Sequence, residues 1–221
     1  MEKIYTALGL MSGTSMDGVD ASIIKSDGNK EYSTVLDKYF KYNDELSYKL
    51  SNIRDKILVV DDYNYNLSEI RDLEREITLF HANAVNEILK KTNIEVDLLG
   101  FHGHTIFHEP NKKISKQIGD GKLLSQVSKK LVIYDFRQND LKNGGQGAPL
   151  TPIYHKLLAK IFQDAGKIKL PIIILNIGGI ANTTFINEKY EIVSMDIGPG
   201  NCLIDNWVRV NSGKKFDNNG D

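Results

Sequence analysis

Two glycine-rich segments, each set between short apolar runs, constrain this chain more than any other feature. The first is Ser12-Gly13-Thr14-Ser15-Met16-Asp17-Gly18, between the runs Ile4–Leu10 and Val19–Lys25. The second is Asn176-Ile177-Gly178-Gly179-Ile180-Ala181-Asn182-Thr183, between Leu170–Ile177 and Asn182–Ile186. Apolar runs of that length read as strands, and a glycine-rich joint between two of them reads as a hairpin. Glycine lets the backbone approach a ligand closely and bares its N–H groups, while Ser and Thr add hydroxyls. Together they can cradle a phosphate with little positive charge. Neither segment ends in the Gly-Lys-Ser/Thr of a Walker loop. Each alone reads at least as readily as a tight turn. Two of them on separate halves of a chain are what a two-lobed nucleotide-binding protein needs.

The rest of the chain alternates strands and helices. Val35–Tyr42 reads as a strand and Asp44–Leu58 as a helix. Asn66–Lys91 is the clearest helix, with Leu67, Ile70, Leu73, Ile77, Phe80, Ala84 and Ile88 on one stripe. Asn66 with Glu69 resembles a capping box at its start. Val96–Phe101 and Leu131–Phe136 are further strands. Thr151-Pro152 opens a helix that Gly166 closes. Leu170–Ile177, apolar throughout, is expected to be buried on both faces in mid-sheet. Glu191–Ile197 is a last strand and Cys202–Asn211 a helix stopped by Gly213, after which Lys214–Asp221 brings no closing element. The expected fold class is α/β, with mixed sheets flanked by helices.

Charge and cysteine content narrow the function classes. With 28 basic and 29 acidic side chains, the formal net charge is −1. That gives no field for nucleic acid or an anionic membrane, so neither is expected as a partner. The single cysteine, Cys202, excludes an internal disulfide framework and a Cys-rich zinc site. No apolar run is long enough to span a bilayer, and Met1–Thr6 carries no signal pattern. A soluble cytoplasmic protein is expected.

Several side chains are placed for chemistry. Asp196 ends a strand just before Gly198-Pro199-Gly200-Asn201 and a helix start. It can act as a general base or simply hydrogen-bond the turn. Asp17 and Asp20 can hold Mg²⁺, directly or through water, although Asp20 reads as readily as a solvent-facing strand residue. His102 and His104 are expected to share one strand face. No neighbouring cysteine or acidic pattern makes them and His108 a zinc motif, so no metal ligand is assigned. Asp135 and Arg137 either form an ion pair, or Arg137 takes a substrate carboxylate.

Five motifs, in order along the chain, carry a resemblance. They are Gly9-Leu10-Met11-Ser12-Gly13-Thr14-Ser15-Met16-Asp17-Gly18-Val19-Asp20; Phe101-His102-Gly103-His104-Thr105 with His108-Glu109-Pro110; Asp135-Phe136-Arg137 with Gly144-Gly145-Gln146-Gly147-Ala148-Pro149-Leu150; Leu175-Asn176-Ile177-Gly178-Gly179-Ile180-Ala181-Asn182; and Asp196-Ile197-Gly198-Pro199-Gly200-Asn201. Together they resemble anhydro-N-acetylmuramic acid kinases, which usually have glutamine where this chain has His104.

The resemblance implies a two-lobed fold of the actin, Hsp70 and sugar-kinase type, with the first lobe over residues 1–137 and the second begun over 138–221. It implies ATP-dependent conversion of 1,6-anhydro-N-acetylmuramic acid to N-acetylmuramic acid 6-phosphate in peptidoglycan recycling, assisted by Mg²⁺. By the same resemblance, Asp196 is the catalytic base. Gly13, Thr14, Ser15, Met16, Asp17, Gly18, Val19 and Asp20, with Asn176, Gly178 and Gly179, bind the nucleotide. His102, Thr105, Asp135, Arg137, Gly198 and Asn201 lie by the amino sugar. Members of the family are longer, so the second lobe is expected to be incomplete. The alternative function is therefore an inactive relative, or half of a split enzyme, that binds ligand without turnover. Two protein partners come into view, a separately encoded C-terminal half and a second copy forming a homodimer.

Overall fold

The computed structural model describes residues 3–214 together with Asp217 and Gly220; most of the expected featureless end, Lys214–Asp221, lies outside them. The strands are β1 (Tyr5–Ser12), β2 (Gly18–Ser26), β3 (Tyr32–Lys41), β4 (Leu98–Glu109), β5 (Ile114–Ile118), β6 (Leu131–Tyr134), β7 (Ile172–Ile177), β8 (Ile180–Ile186) and β9 (Ile192–Pro199). The helices are α1 (Asp44–Lys56), α2 (Val60–Tyr65), α3 (Leu67–Thr92), α4 (Gly121–Ser128), α5 (Phe136–Lys142), α6 (Pro152–Asp164) and α7 (Cys202–Ser212). The chain forms two compact units, Met1–Ala148 and Pro149–Asp221. The division falls beyond the expected 137/138 boundary, because the segment after Arg137 is tied into the first unit: Gln138 donates to the Ser115 carbonyl at 2.6 Å and Leu141 is buried.

The first unit is a mixed sheet in the order β3-β2-β1-β4-β5, with β6 also paired to β4. Strands β1, β2 and β3 form an antiparallel meander, while β1 and β6 each run parallel to β4. Alternation decides what each face meets. Leu8, Leu10, Val19, Ala21 and Ile23 face one way and are buried, whereas Gly9, Met11 and Asp20 face the other and are exposed. The buried face is covered by the apolar stripes of α1 (Leu46, Leu50, Ile53) and α3 (Ile70, Leu73, Ile77, Val85, Ile88), joined by Leu124 of α4 in a single core. Asn43 caps α1, its side chain accepting from the Leu46 N–H at 2.7 Å.

The capping box expected at Asn66 does not form. Asn66 also ends α2, and its amide donates back to the Asp62 carbonyl at 2.7 Å. Glu69 pairs instead with Lys56 at 2.7 Å.

The second unit is a three-stranded antiparallel sheet, β7-β8-β9, with α6 against it. Here the sequence misleads. The apolar strand β7 is an edge strand, and Ile173, Leu175 and Ile177 are 52–63% exposed. Apolar content gives a strand's appetite for burial, not the number of layers that cover it.

Candidate functional site

The first glycine segment is the β1–β2 joint, as expected, and its residues divide by exposure. Thr14, Ser15, Asp17 and Asp20 are exposed and Gly13 is half-buried. Met16 and Val19 are instead core residues, at 4% and 0% exposure. Gly18 is buried where β2 meets β3: a Cβ there would lie 2.4 Å from the Phe40 carbonyl oxygen. Its glycine is required by strand packing. Gly13 is different, since a Cβ there would meet only the Ser15 hydroxyl, at 3.6 Å. The loop turns through Met16, whose φ is 58° and whose N–H donates to the Gly13 carbonyl at 3.2 Å. The Ser15 hydroxyl donates to Asp17.

Beside this loop, the face of the sheet opposite α1 and α3 has a shallow depression lined by Gly9, Met11, Asp20, Ser22, Gly100 and Phe136. Partial burial, then the nearby Asp17 and Asp37 charges, hold the Asp20 carboxyl above its usual range. Burial and Asp17 likewise push the Tyr39 phenol up to about 12. A divalent cation at Asp17 and Asp20 would relieve this repulsion, so the donor set fits Mg²⁺ completed by phosphate oxygens. Among the described residues, no cluster of three or more His, Cys, Asp or Glu side chains forms a ready-made metal site.

Two of the motifs expected to lie by the sugar, around His102 and around Gly147, meet at Arg137. Its Nε donates to His102 Nε2 at 2.9 Å and its Nη1 to the Gly147 carbonyl at 3.3 Å. His102 Nδ1 lies 2.9 Å from the Gly103 carbonyl. A ring that accepts at Nε2 and donates at Nδ1 is neutral, and burial, then the Arg137 charge, lower its pKa accordingly. Arg137 thus gives two of its five N–H donors to His102 and the Gly147 carbonyl, and the ion pair with Asp135 does not form. Asp135 is exposed, at φ 60°, where α5 begins. Thr105 accepts from Gln117 at 3.2 Å. Asp140, which sequence reasoning missed, organises the Gly144–Gly147 loop by accepting from the Gly147 N–H at 2.7 Å.

His102 and His104 do not share a face. Leu10 pairs with Phe101 but Ser12 with His104, so β4 carries an extra residue. That bulge sits at Gly103, whose φ is +72°. It turns His104 into the core, where it is fully buried and its Nδ1 lies 2.8 Å from Ser12 Oγ. Tyr42, also missed, donates its hydroxyl to the same Ser12 Oγ at 2.8 Å.

In the second unit, Gly178-Gly179 is the β7–β8 turn. The Gly200 N–H donates to the Gly179 carbonyl and the Asn201 N–H to the Gly178 carbonyl, each at 2.9 Å. A Cβ on Gly200 would lie 2.1 Å from the Gly178 oxygen, so glycine alone permits this latch. It brings Gly178, Gly179, Gly198 (φ +146°) and Asn201 together where α7 starts. Asp196 is exposed on β9 opposite Asn182, and Asn176 is exposed opposite the same residue from β7.

An α/β chain with two glycine hairpin loops, each with exposed polar groups at its rim, has the parts of a phosphate-handling protein. The comparisons are more specific. The pattern that defines the family "Anhydro-N-acetylmuramic acid kinase" matches residues 5–221, and the chain belongs to that family. It is 56% identical over 222 residues to an anhydro-N-acetylmuramic acid kinase of Pelagibacter ubique, and 42% identical over 224 residues to one of Rhizobium etli. These alignments take in 100% of this chain but 58% and 60% of those relatives, so the chain spans less than two thirds of their length. Among solved structures, an Aquifex aeolicus member of the Ppx/GppA family aligns over 92% of this chain and 54% of its own, at 10% identity and a TM-score of 0.41.

Proposed function

We propose that this chain carries the phosphate loops and the sugar-facing residues of an ATP-dependent kinase. The reaction is conversion of 1,6-anhydro-N-acetylmuramic acid to N-acetylmuramic acid 6-phosphate, in the cytoplasm, during peptidoglycan recycling. Beyond family membership, the observation that supports this most is the latch between Gly178-Gly179 and Gly200-Asn201. It gathers a glycine loop, a helix start and the end of the strand bearing Asp196 into one rim.

In this reading the Asp196 carboxylate takes a proton from a water molecule. The water oxygen attacks the anomeric carbon, the bond from that carbon to the 6-oxygen breaks, and the freed 6-oxygen accepts the phosphoryl group. ATP would supply that group, and Mg²⁺ would offset its charge when bound. On the first unit Gly13, Thr14 and Ser15 are assigned to nucleotide phosphates, and on the second, taken by itself, Asn176, Gly178 and Gly179 are. Asp17 and Asp20 would hold the cation. His102, Thr105, Asp135 and Arg137 on the first unit are assigned to the sugar, as are Gly198 and Asn201 on the second. Little covalent chemistry falls to the protein, as phosphoryl transfer requires.

The test is a coupled ADP assay with the anhydro sugar, on this chain fused to the part of the Pelagibacter ubique relative that the alignment leaves out. Sugar-dependent ADP release is expected, and Asp196→Asn should lower turnover by at least about 10²-fold. A folded wild-type fusion that releases no ADP overturns the kinase reading. A folded Asp196→Asn variant with near-normal turnover overturns the base assignment.

A second reading concerns the 221-residue chain by itself: ligand binding without turnover. It is favoured by the exposure of Leu175, Ile177, Met195, Ile197, Leu203 and Trp207, all at 52% or more. A site whose walls stay open does not exclude water from the reaction. Calorimetric binding of nucleotide or sugar, with no ADP released, is the outcome that separates the two.

A further inference from the structure

The first glycine loop is held at both ends by one residue that lies outside it in sequence. At the near end, the Tyr42 hydroxyl donates to Ser12 Oγ at 2.8 Å. At the far end, the Tyr42 backbone N–H donates to the Asp17 carbonyl at 2.8 Å. Between these points the chain makes its turn, with Met16 plugged into the core below. Tyr42 itself is fixed: it is 2% exposed, its ring packs edge-on against Phe80 at 4.7 Å, and it adjoins the capped start of α1.

His104 completes the arrangement. Burial pushes the Tyr42 phenol up to about 12, so it remains a donor near neutral pH. Having accepted that hydrogen, Ser12 Oγ can give its own to His104 Nδ1, 2.8 Å away, in the tautomer that carries the ring proton on Nε2. The Tyr42 and Ser12 hydroxyl hydrogens then have one acceptor each, while the ring hydrogen on His104 Nε2 has no protein partner. A hydroxyl with two fixed partners in a dry environment has a single rotamer.

We propose that Tyr42 and His104 are positioning residues for the first glycine loop, holding Ser12 and Asp17 so that Gly13, Thr14 and Ser15 present their N–H and hydroxyl groups in one fixed geometry. Neither residue touches the ligand. That the ligand is a nucleotide phosphate rests on the function proposed above; the holding of the loop does not.

The test is amide hydrogen exchange on the 221-residue chain, comparing the wild type with Tyr42→Phe. This change removes only the hydroxyl and keeps the ring and the backbone N–H. Exchange at the Met16 and Tyr42 amides, which bond the Gly13 and Asp17 carbonyls, should speed up by roughly 2- to 10-fold, the scale of one lost net hydrogen bond, with α3 amides unchanged. His104→Leu should act in the same way, and His104→Asn, which keeps an acceptor at the Nδ1 position, should restore much of the protection. An unchanged loop, or a loop and α3 that quicken together, overturns the proposal, since a merely structural role would move both. If Tyr42→Phe does not fold, Ser12→Ala is read in the same way. ATP affinity of the fusion separates the two readings. If the wild type binds no ATP, the kinase reading fails while the exchange data still decide the loop; if it does, Tyr42→Phe should weaken binding by a similar factor.

Discussion

His102 and His104, two residues apart on β4, point to opposite sides of the sheet. His102 accepts from Arg137 on the face that carries α5, and His104 meets Ser12 in the core beneath α1 and α3. The single residue between them makes this possible. Gly103 takes a φ of +72°, open to glycine at little cost, and a Cβ there would lie 2.5 Å from the Ile118 carbonyl oxygen.

Gly103→Ala should therefore destabilise the first unit by about 1–3 kcal/mol through backbone strain and the clash with β5. Urea unfolding checks this. A variant within a few tenths of a kcal/mol of wild type would show that the bulge can relax elsewhere.

Stability should fall in acid because of two buried histidines. His81 and His104 are both fully buried, and burial pushes each down to about 4. Their Nδ1 atoms bond the Ile77 carbonyl and Ser12, and their Nε2 atoms have no protein partner. The charges that act on His104 are His81, His102 and Arg54, all adverse to its cation. Unfolded histidine takes a proton near pH 6.5, so between about 6.5 and 4 the unfolded state binds more protons than the native one. The stability is whole above about pH 6.5 and is lost as pH falls towards 4, by on the order of 3 kcal/mol per histidine over the full range. Unfolding free energies measured at pH 7 and pH 4.5 should show the drop, and His104→Asn should reduce it. Identical pH profiles for the two proteins would exclude His104 as a cause.

Gly13 and Gly18, five positions apart, should separate binding from folding. Gly18→Ala drives a Cβ into the Phe40 carbonyl and should cost about 1–3 kcal/mol of stability. Gly13→Val meets only the Ser15 hydroxyl at ordinary contact distance, should melt within a few degrees of wild type, and should weaken ATP binding by filling the room a phosphate needs. Unchanged ATP affinity in folded Gly13→Val would reduce the loop to a plain hairpin turn.

Arg137→Met should raise the pKa of His102. Burial is the larger cause of its depression and remains, but the adjacent cation is the second cause and goes. An NMR titration of the His102 ring reports this directly. No movement would mean that the Arg137–His102 contact is not made in solution.

What the sequence showed plainly was local. The glycine loops, the α3 stripe, Gly213 as the stop of α7 and the α/β alternation could all be read from spacing. What it hid depended on pairing across long separations. Strict alternation puts His102 and His104 on one face, and only the register of β4 against β1 reveals the bulge. Tyr42 looks like any strand-end aromatic until the sheet brings it beside Ser12. Strand β5 and helix α4 carry too few apolar residues to declare themselves. Strand β7, expected in mid-sheet, lies at an edge, because strand order is not written in a strand's own residues.

Strand β1 lies in mid-sheet, and its neighbours arrive at very different times. Strand β2 follows within a few residues, but β4, which covers the other edge, begins only at Leu98. As the chain leaves the ribosome, the meander β1–β3 is complete long before that edge can be closed. The α1–α3 segment emerges in the interval, and the bare backbone of Ala7–Ser12 waits through it as a template for any other strand. A fragment ending at Thr92 is accordingly expected to self-associate where one ending at Ala148 does not, which makes the long α3 helix a delay built into the order of synthesis.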